Sequence, residues 1–241
     1  MSNREESFEA EAITYLTSIP TGYISDALGK IELWFQTTVG ILPLRGFEDH
    51  KVGGPVATVK FAPMRNAMAA SRKMNFFSFL AALPPGSVIC VEGGADTAVH
   101  GDNQTDMCKR AGAAALISEG GSRDLSGLRE VGLPVWAQGP ALRGGRTKWE
   151  LVSFNEVINL GGVRVYPGDY IFADECGCVV VPKEHLARVY ELTKQVDKIE
   201  ADLVAFRNDP NKTPEDVAAL YAKKSEKAKD AVGGLVKSTQ S

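Results

Sequence analysis

A glycine-rich turn, Gly120-Gly121-Ser122, ends in an adjacent arginine and aspartate, Arg123-Asp124, and an earlier turn ends in Gly101-Asp102. These residue types suit one chemistry. A guanidinium is a planar fork of donors that matches a carboxylate. An aspartate can hold a hard cation. A helix that starts at Asp102 would offer the backbone N–H groups of Gly101, Asn103 and Gln104 to an anion. Together they describe a site for a small acid that chelates a metal. Each residue also has a plainer use. Asp124 can cap a helix over Leu125 to Glu130, and on residue type alone that is the stronger reading. Arg123 can be a structural ion-pair partner. Asp102 can cap the helix after Gly101 and can also orient a water that donates a proton, and the two roles are compatible.

The elements around these residues bring them together. An apolar run, Val88 to Val91, stops at Gly93-Gly94, a helix begins near Asp102, and a second apolar run covers Ala113 to Ile117. Strand, helix, strand predicts a right-handed crossover between parallel strands. Both strands then end at one edge of the sheet, where open α/β sheets place ligands. Further elements are read the same way. Ser7 to Ile19 has helical periodicity, broken by Pro20-Thr21-Gly22. Thr21 or Ser25 can cap a short helix through Asp26, Ala27 and Leu28. Val52 to Phe61 is a β-branched strand, and Ala67 to Leu83 a helix ended by Pro84-Pro85. Short strands follow at Val135 to Ala137, Glu150 to Phe154, Val163 to Tyr166, Tyr170 to Ala173 and Gly177 to Val181, with a turn at Pro167-Gly168-Asp169. A long helix is expected over Lys183 to Phe206, then a linker at Asn208 to Asn211. Thr213-Pro214-Glu215-Asp216 reads as the start of a final helix.

Composition narrows the function classes. The net charge is -3 and no basic block occurs, so a nucleic-acid footprint is not expected. No apolar run reaches the length of a membrane span, and the acidic start, MSNREESFEAEA, does not read as a secretory signal, so the expected location is cytoplasmic. Cys176 and Cys178 form C-x-C without a second close pair to complete a zinc site; on a strand both would point to one face. They and Cys90 and Cys108 are expected to be reduced thiols. His50, His100 and His185 form no metal motif, and His100 can be a proton shuttle or a packing residue, packing being the stronger reading. Asp96, Asp106 and Glu119 are read as solvated acids, and Lys109 and Arg110 as a solvated helix face.

A series of short motifs adds a resemblance. It runs Ser25-Asp26-Ala27-Leu28-Gly29, Gly53-Gly54-Pro55-Val56-Ala57-Thr58-Val59, Gly101-Asp102, Gly112-Ala113-Ala114-Ala115-Leu116, and Gly120 to Asp124. It continues through Gly132-Leu133-Pro134-Val135, Gly161-Gly162-Val163-Arg164-Val165, Pro167-Gly168-Asp169, Ala173-Asp174, and Gly177 to Pro182. In this order and spacing, over about residues 20 to 200, the chain resembles the RraA-like group. That group includes class II pyruvate aldolases acting on 4-hydroxy-4-methyl-2-oxoglutarate and 4-carboxy-4-hydroxy-2-oxoadipate.

The resemblance implies a compact layered α/β/β/α fold over residues 1–206 with a C-terminal helical extension over 207–241. It implies homotrimers or homohexamers with active sites between subunits. It makes Asp124 a ligand of Mg²⁺ or Mn²⁺, Arg123 the grip on a 2-oxo acid's carboxylate, and Asp102 the partner of a proton-donating water. The implied reaction is metal-dependent retro-aldol cleavage of a 4-hydroxy-2-oxo acid to pyruvate, with oxaloacetate decarboxylation through the same enolate. The alternatives are a non-catalytic regulator like the ribonuclease-inhibiting member of the group, which keeps the arginine but lacks the following aspartate, or a hydratase or tautomerase. The chain departs from the aldolases in three places: His100 stands where tryptophan is frequent, Cys176-Gly177 where Asp-Gly is frequent, and the tail differs.

Overall fold

Strands that are apolar at every position need cover on both faces, and this sheet supplies it. The computed structural model describes residues 3–64 and 76–222. Its strands are β1 (Leu42–Pro43), β2 (Val52–Pro63), β3 (Val88–Glu92), β4 (Ala98–His100), β5 (Ala115–Ser118), β6 (Gly121–Ser122), β7 (Val135–Ala137), β8 (Trp149–Phe154), β9 (Ile158–Leu160), β10 (Val163–Val165), β11 (Tyr170–Asp174) and β12 (Gly177–Val181). The main sheet runs β1-β7-β5-β3-β2-β11-β12, with β8 also on β2. The neighbours β2, β3, β5 and β7 are parallel, as the crossover reading requires, and β11 and β12 are antiparallel.

Alternation along each strand sorts side chains into layers. Val88 and Cys90 of β3, Ile117 of β5, Ile171 of β11 and Val180 of β12 face a shared interior, closed by the β9–β10 hairpin through Leu160 and Val163. The other face of β11 and β12 carries Phe172 and Val179 against helices α1 (Asn3–Ser18), α2 (Thr21–Gly29) and α6 (Leu186–Arg207). The other face of β3, β5 and β7 carries Ile89, Leu116 and Val135 against α3 (Phe76–Ala81), α4 (Asp102–Arg110) and α5 (Leu125–Val131). The sheet nearly closes on itself. Thr38 donates to Cys178 O at 3.0 Å and Val180 donates to Gln36 O at 2.8 Å, while β1 a few residues later pairs with β7 at the opposite edge.

Several local expectations are corrected. The N-cap of α2 is Pro20, and no side-chain cap bond forms there. Instead the Asp174 carboxylate, from β11, accepts the Thr21 N–H and hydroxyl, each at 2.8 Å. Cys176 lies in the turn before β12 and is exposed while Cys178 is buried, so the two thiols do not share a face. The long helix starts with a 3-10 turn over Lys183–His185. Of the helix expected over Ala67 to Leu83, α3 is the described part, and residues 67–75 lie outside the described residues. The final helix begins after Thr213, where Thr213 Oγ1 accepts the Asp216 N–H at 3.2 Å and Asp216 accepts the Thr213 N–H at 3.0 Å, a reciprocal capping box.

Candidate active site

The crossover brings the expected residues together through a feature the sequence did not suggest. Strands β4 and β6 form a small parallel ladder beyond the ends of β3 and β5, pairing Ala98 with Gly121 and His100 with Ser122. The Arg123 N–H and the Ser122 hydroxyl both donate to His100 O, at 3.4 and 3.3 Å. This sets Gly101 against Arg123-Asp124 so closely that a Cβ on Gly101 would lie 2.7 Å from Asp124 Oδ2. A side chain at residue 101 would displace the Asp124 carboxylate. The turns behind the ladder are braced by Glu119, which accepts the N–H of Gly93 at 3.0 Å and of Gly161 at 2.8 Å. Glu119 is therefore a structural acid, contrary to its reading as solvated. Asp96 pairs with Lys148, and Asp106 with Arg110 along α4.

Asp124 occupies the N-cap position of α5, yet its side chain makes no cap bond. Its backbone is left-handed (φ 60°), a conformation that costs a non-glycine residue free energy and is retained where surroundings demand it. The carboxylate instead meets Arg123 Nε at 3.3 Å, and both side chains are about half exposed. The capping reading of Asp124 is thus not realised. For α4, Gly101 is the N-cap and Asp102 the first helical residue. Asp102 Oδ1 accepts the Asn103 backbone N–H at 2.7 Å and its side-chain amide at 3.1 Å. One N–H expected to face a ligand carboxylate is therefore already engaged. The Asp102 carboxylate also lies close to Gly127 of α5, where a Cβ would come within 2.6 Å of Oδ2.

These residues line a cleft of about 700 Å³, with Gly101, Asn103 and Gln104 on its wall beside Asp102, Arg123 and Asp124. Sequence reasoning missed further lining residues, Arg146 of the 3-10 turn Gly145–Thr147 and Trp149 and Glu150 of β8. The available signal was Gly144-Gly145-Arg146, a second glycine-rich turn ending in arginine. Phe61 and Phe77 supply apolar lining. His100 also lines the cleft, is 5% exposed, and has no hydrogen-bond partner on either ring nitrogen. Burial lowers its pKa to about 4, because the charged ring would lose its hydration. Trp149 Nε1 is buried in the same cleft wall and likewise unpartnered.

Among the described residues no group of three or more His, Cys, Asp or Glu side chains is gathered for a metal. A hard cation that keeps most of its waters needs only one or two carboxylates and a chelating ligand. Asp124, an oxygen donor on the cleft wall with no capping duty, fits that requirement.

The sequence model of one family, RraA-like (Aldolase/RraA), matches residues 21–180. The chain belongs to the RraA-like family. It is 32% identical over 189 residues to a protein of Halalkalibacterium halodurans named "Putative 4-hydroxy-4-methyl-2-oxoglutarate aldolase", covering 78% of this chain and 84% of that protein. Among solved structures it resembles Streptomyces coelicolor RraAS2, described as an unusual member of the RNase ES inhibitor RraA protein family, with 26% identity and a TM-score of 0.70 over 79% of this chain and 94% of that one. An uncharacterised Pseudomonas syringae protein shares the fold at 22% identity and a TM-score of 0.73, over 87% of this chain and 97% of that one. These likenesses agree with the layered α/β fold expected from the motif series. No described helix of this RraA-like chain is long and apolar enough to cross a membrane.

Proposed function

We propose that this RraA-like protein is a divalent-metal-dependent lyase that cleaves a 4-hydroxy-2-oxo acid to release pyruvate, and that it also decarboxylates oxaloacetate. The observation that carries the reading is the placement of Arg123 and an Asp124 carboxylate without capping duty against the Gly101-Asp102 helix start in one cleft. The aldolase name of the Halalkalibacterium relative supports it.

In this reading Arg123 grips the substrate carboxylate through its planar fork, and the helix start adds positive potential. Asp124 holds Mg²⁺ or Mn²⁺, which when bound supplies Lewis-acid stabilisation of the enolate left by carbon–carbon cleavage. Asp102, fixed by Asn103, orients the water that returns a proton to the enolate carbon. Phe61 and Phe77 limit water around the reacting bond. Exposed Trp34, Phe35, Val39 and Leu42, close in sequence, support assembly into trimers or hexamers, with a neighbouring subunit bordering the site. The proposed setting is the cytoplasm.

The test is a panel of 4-hydroxy-2-oxo acids and oxaloacetate, scored for pyruvate with Mg²⁺, with Mn²⁺ and after chelation. Release that stops on chelation and returns with either cation is expected. Full turnover by demonstrably metal-free protein would remove the metal from the reading. A second reading, inhibition of a ribonuclease, has the likeness to RraAS2 behind it. Absence of pyruvate release across the panel together with ribonuclease inhibition would favour it.

A further inference from the structure

We propose that Arg146 binds a second carboxylate at the far end of the substrate, so that the cleft selects 2-oxo acids with two carboxylates over those with one. The inference rests on the reading of Arg123 as the grip on the oxo-acid end, and names the class of substrate which that reading leaves open.

Backbone pairing brings Arg146 to the cleft. Ala98 of β4 pairs with Gly121 on one edge and bridges to Gly144 on the other, and the Ala98 N–H donates to Arg143 O at 2.7 Å. The turn that carries Arg146 thus lies along the free edge of the ladder that positions Arg123. Two glycines let it come close. A Cβ on Gly145 would lie 2.9 Å from Thr97 Oγ1, so the turn is seated against the residue before β4. Gly144 passes beside the other arginine, since a Cβ there would lie 3.6 Å from Arg123 Nη1. Arg146 follows two residues later, and both arginines line one cleft.

The two guanidiniums differ in what they hold. Arg123 Nε meets Asp124 at 3.3 Å. Arg146 is exposed, and among the described residues none forms a hydrogen bond or ion pair with it. The charged groups around it do not claim it. Lys148 is paired with Asp96, and Asp102 with Asn103. Glu150 lines the cleft too, yet forms no ion pair with Arg146. An exposed arginine is ordinarily a solvated residue. Arg146 is set apart by its seat in a cleft whose other arginine is assigned to an acid.

The chemistry of the guanidinium selects its ligand. It stays charged at any pH the protein meets and presents a planar fork of donors. A carboxylate matches that fork through two parallel N–H···O bonds. A phosphate presents three acceptor oxygens and needs donors beyond one fork, and Lys148 is already taken by Asp96. A methyl or other neutral tail makes no charge-assisted bond there. In retro-aldol cleavage the far carboxylate leaves with the carbonyl product, so Arg146 acts on binding and takes no part in bond breaking.

Binding is read without turnover by calorimetry in the presence of Mg²⁺, with 2-oxoglutarate and 2-oxopentanoate. Neither has the C4 hydroxyl that cleavage requires, and they differ only in a carboxylate against a methyl at C5. The unaltered protein is expected to bind 2-oxoglutarate about 30-fold more tightly, and Arg146→Leu to lose that preference. Arg146→Lys keeps the charge without the fork and should retain part of it. Lys148→Leu removes a charge that does not line the cleft and should retain all of it. Equal affinity for the two acids in the unaltered protein overturns the proposal. So does a preference that survives in Arg146→Leu, an equal loss in Lys148→Leu, or failure of both acids to bind.

For turnover, 4-hydroxy-2-oxoglutarate and 4-hydroxy-2-oxopentanoate form the matching pair. Their ratio of kcat/KM should fall about 30-fold in Arg146→Leu, through KM rather than kcat, because a contact made equally in ground and transition states leaves kcat alone. A loss confined to kcat would place Arg146 in the chemistry and overturn its assignment to the tail. If neither acid releases pyruvate, the lyase reading fails on its own, and calorimetry still decides on Arg146.

Discussion

Two corners of the fold carry aspartates, and they treat them in opposite ways. At the β11–β12 corner Asp174 is 6% exposed and accepts three hydrogen bonds, from the Thr21 N–H, the Thr21 hydroxyl and the Cys176 N–H, while its backbone carbonyl takes the Trp136 indole N–H. At the other end of β11, Asp169, 4% exposed, accepts the N–H groups of Tyr166 and Lys183. At the β4–β6 corner Asp124 is about half exposed, sits on a left-handed backbone and meets only the guanidinium of its neighbour Arg123. His100 behind it has nothing on either ring nitrogen. An acid whose lone pairs are taken up by the chain holds the fold together. An acid kept open at a cleft is available to a ligand, and the chain carries the cost of its left-handed backbone.

The comparison is broken most directly at the satisfied corner. Asp174→Ala strands the first N–H of α2 and the Cys176 N–H in a buried setting, so a loss of about 3–4 kcal/mol in unfolding free energy is expected from urea denaturation. A loss below about 1 kcal/mol, the scale of one ordinary hydrogen bond, would mean that the corner is not held by its carboxylate. The open corner should respond in function instead. Arg123→Lys keeps the charge but loses the planar fork, so kcat/KM for pyruvate release should fall on the order of 100-fold with the melting temperature unchanged. Near wild-type turnover would make Arg123 structural and remove the contrast between the corners.

What the sequence could reveal follows the same division. The parallel core was legible because β3, β5 and β7 read as apolar runs ended by glycines, and their crossover forces Asp102 and Arg123 to one edge. The β4–β6 ladder was not legible, since two or three residues around glycines carry no periodicity. Nor was the part of the cleft lined by Arg146 and Trp149, because they reach it through the pairing of β8 with β2 and the bridge of Gly144 to Ala98, contacts between distant segments. The service of Asp174 as a tertiary cap for α2 is hidden for the same reason, with 153 residues separating the partners. His100 is buried, in keeping with its reading as a packing residue, but sequence shows its type and not that its ring nitrogens lack partners. Local patterns show strands and turns, whereas satisfaction of a polar group depends on what the rest of the chain brings to it.

The metal assignment sharpens the comparison within the open corner. Asp124→Asn removes the charge that would face the cation but leaves the carbonyl of residue 124 to accept the Leu128 N–H. Activity at limiting Mg²⁺ or Mn²⁺ should drop about 30-fold, and excess cation should restore part of it, because a neutral amide oxygen is a weaker ligand for a hard cation. Unchanged metal dependence would place the cation elsewhere.

Asp102→Asn is the finest test, since Asp102 stands between the two kinds of acid. One of its oxygens serves the chain through Asn103, while the side chain also borders the cleft. Asparagine retains a side-chain oxygen for the Asn103 N–H but loses the negative charge that favours the first turn of a helix, so stability should fall by no more than about 1 kcal/mol. The lost charge matters only if the residue positions a proton-donating water. In that case kcat falls about tenfold, a modest share of the usual general acid–base contribution because the water itself remains. Excess metal should not restore it, which separates this variant from Asp124→Asn. Thermal melts and metal titrations of the two variants side by side provide the measurement. Normal turnover in Asp102→Asn would assign this acid to the helix start alone and move it, with Asp174, to the side of residues whose work is finished once the chain has folded.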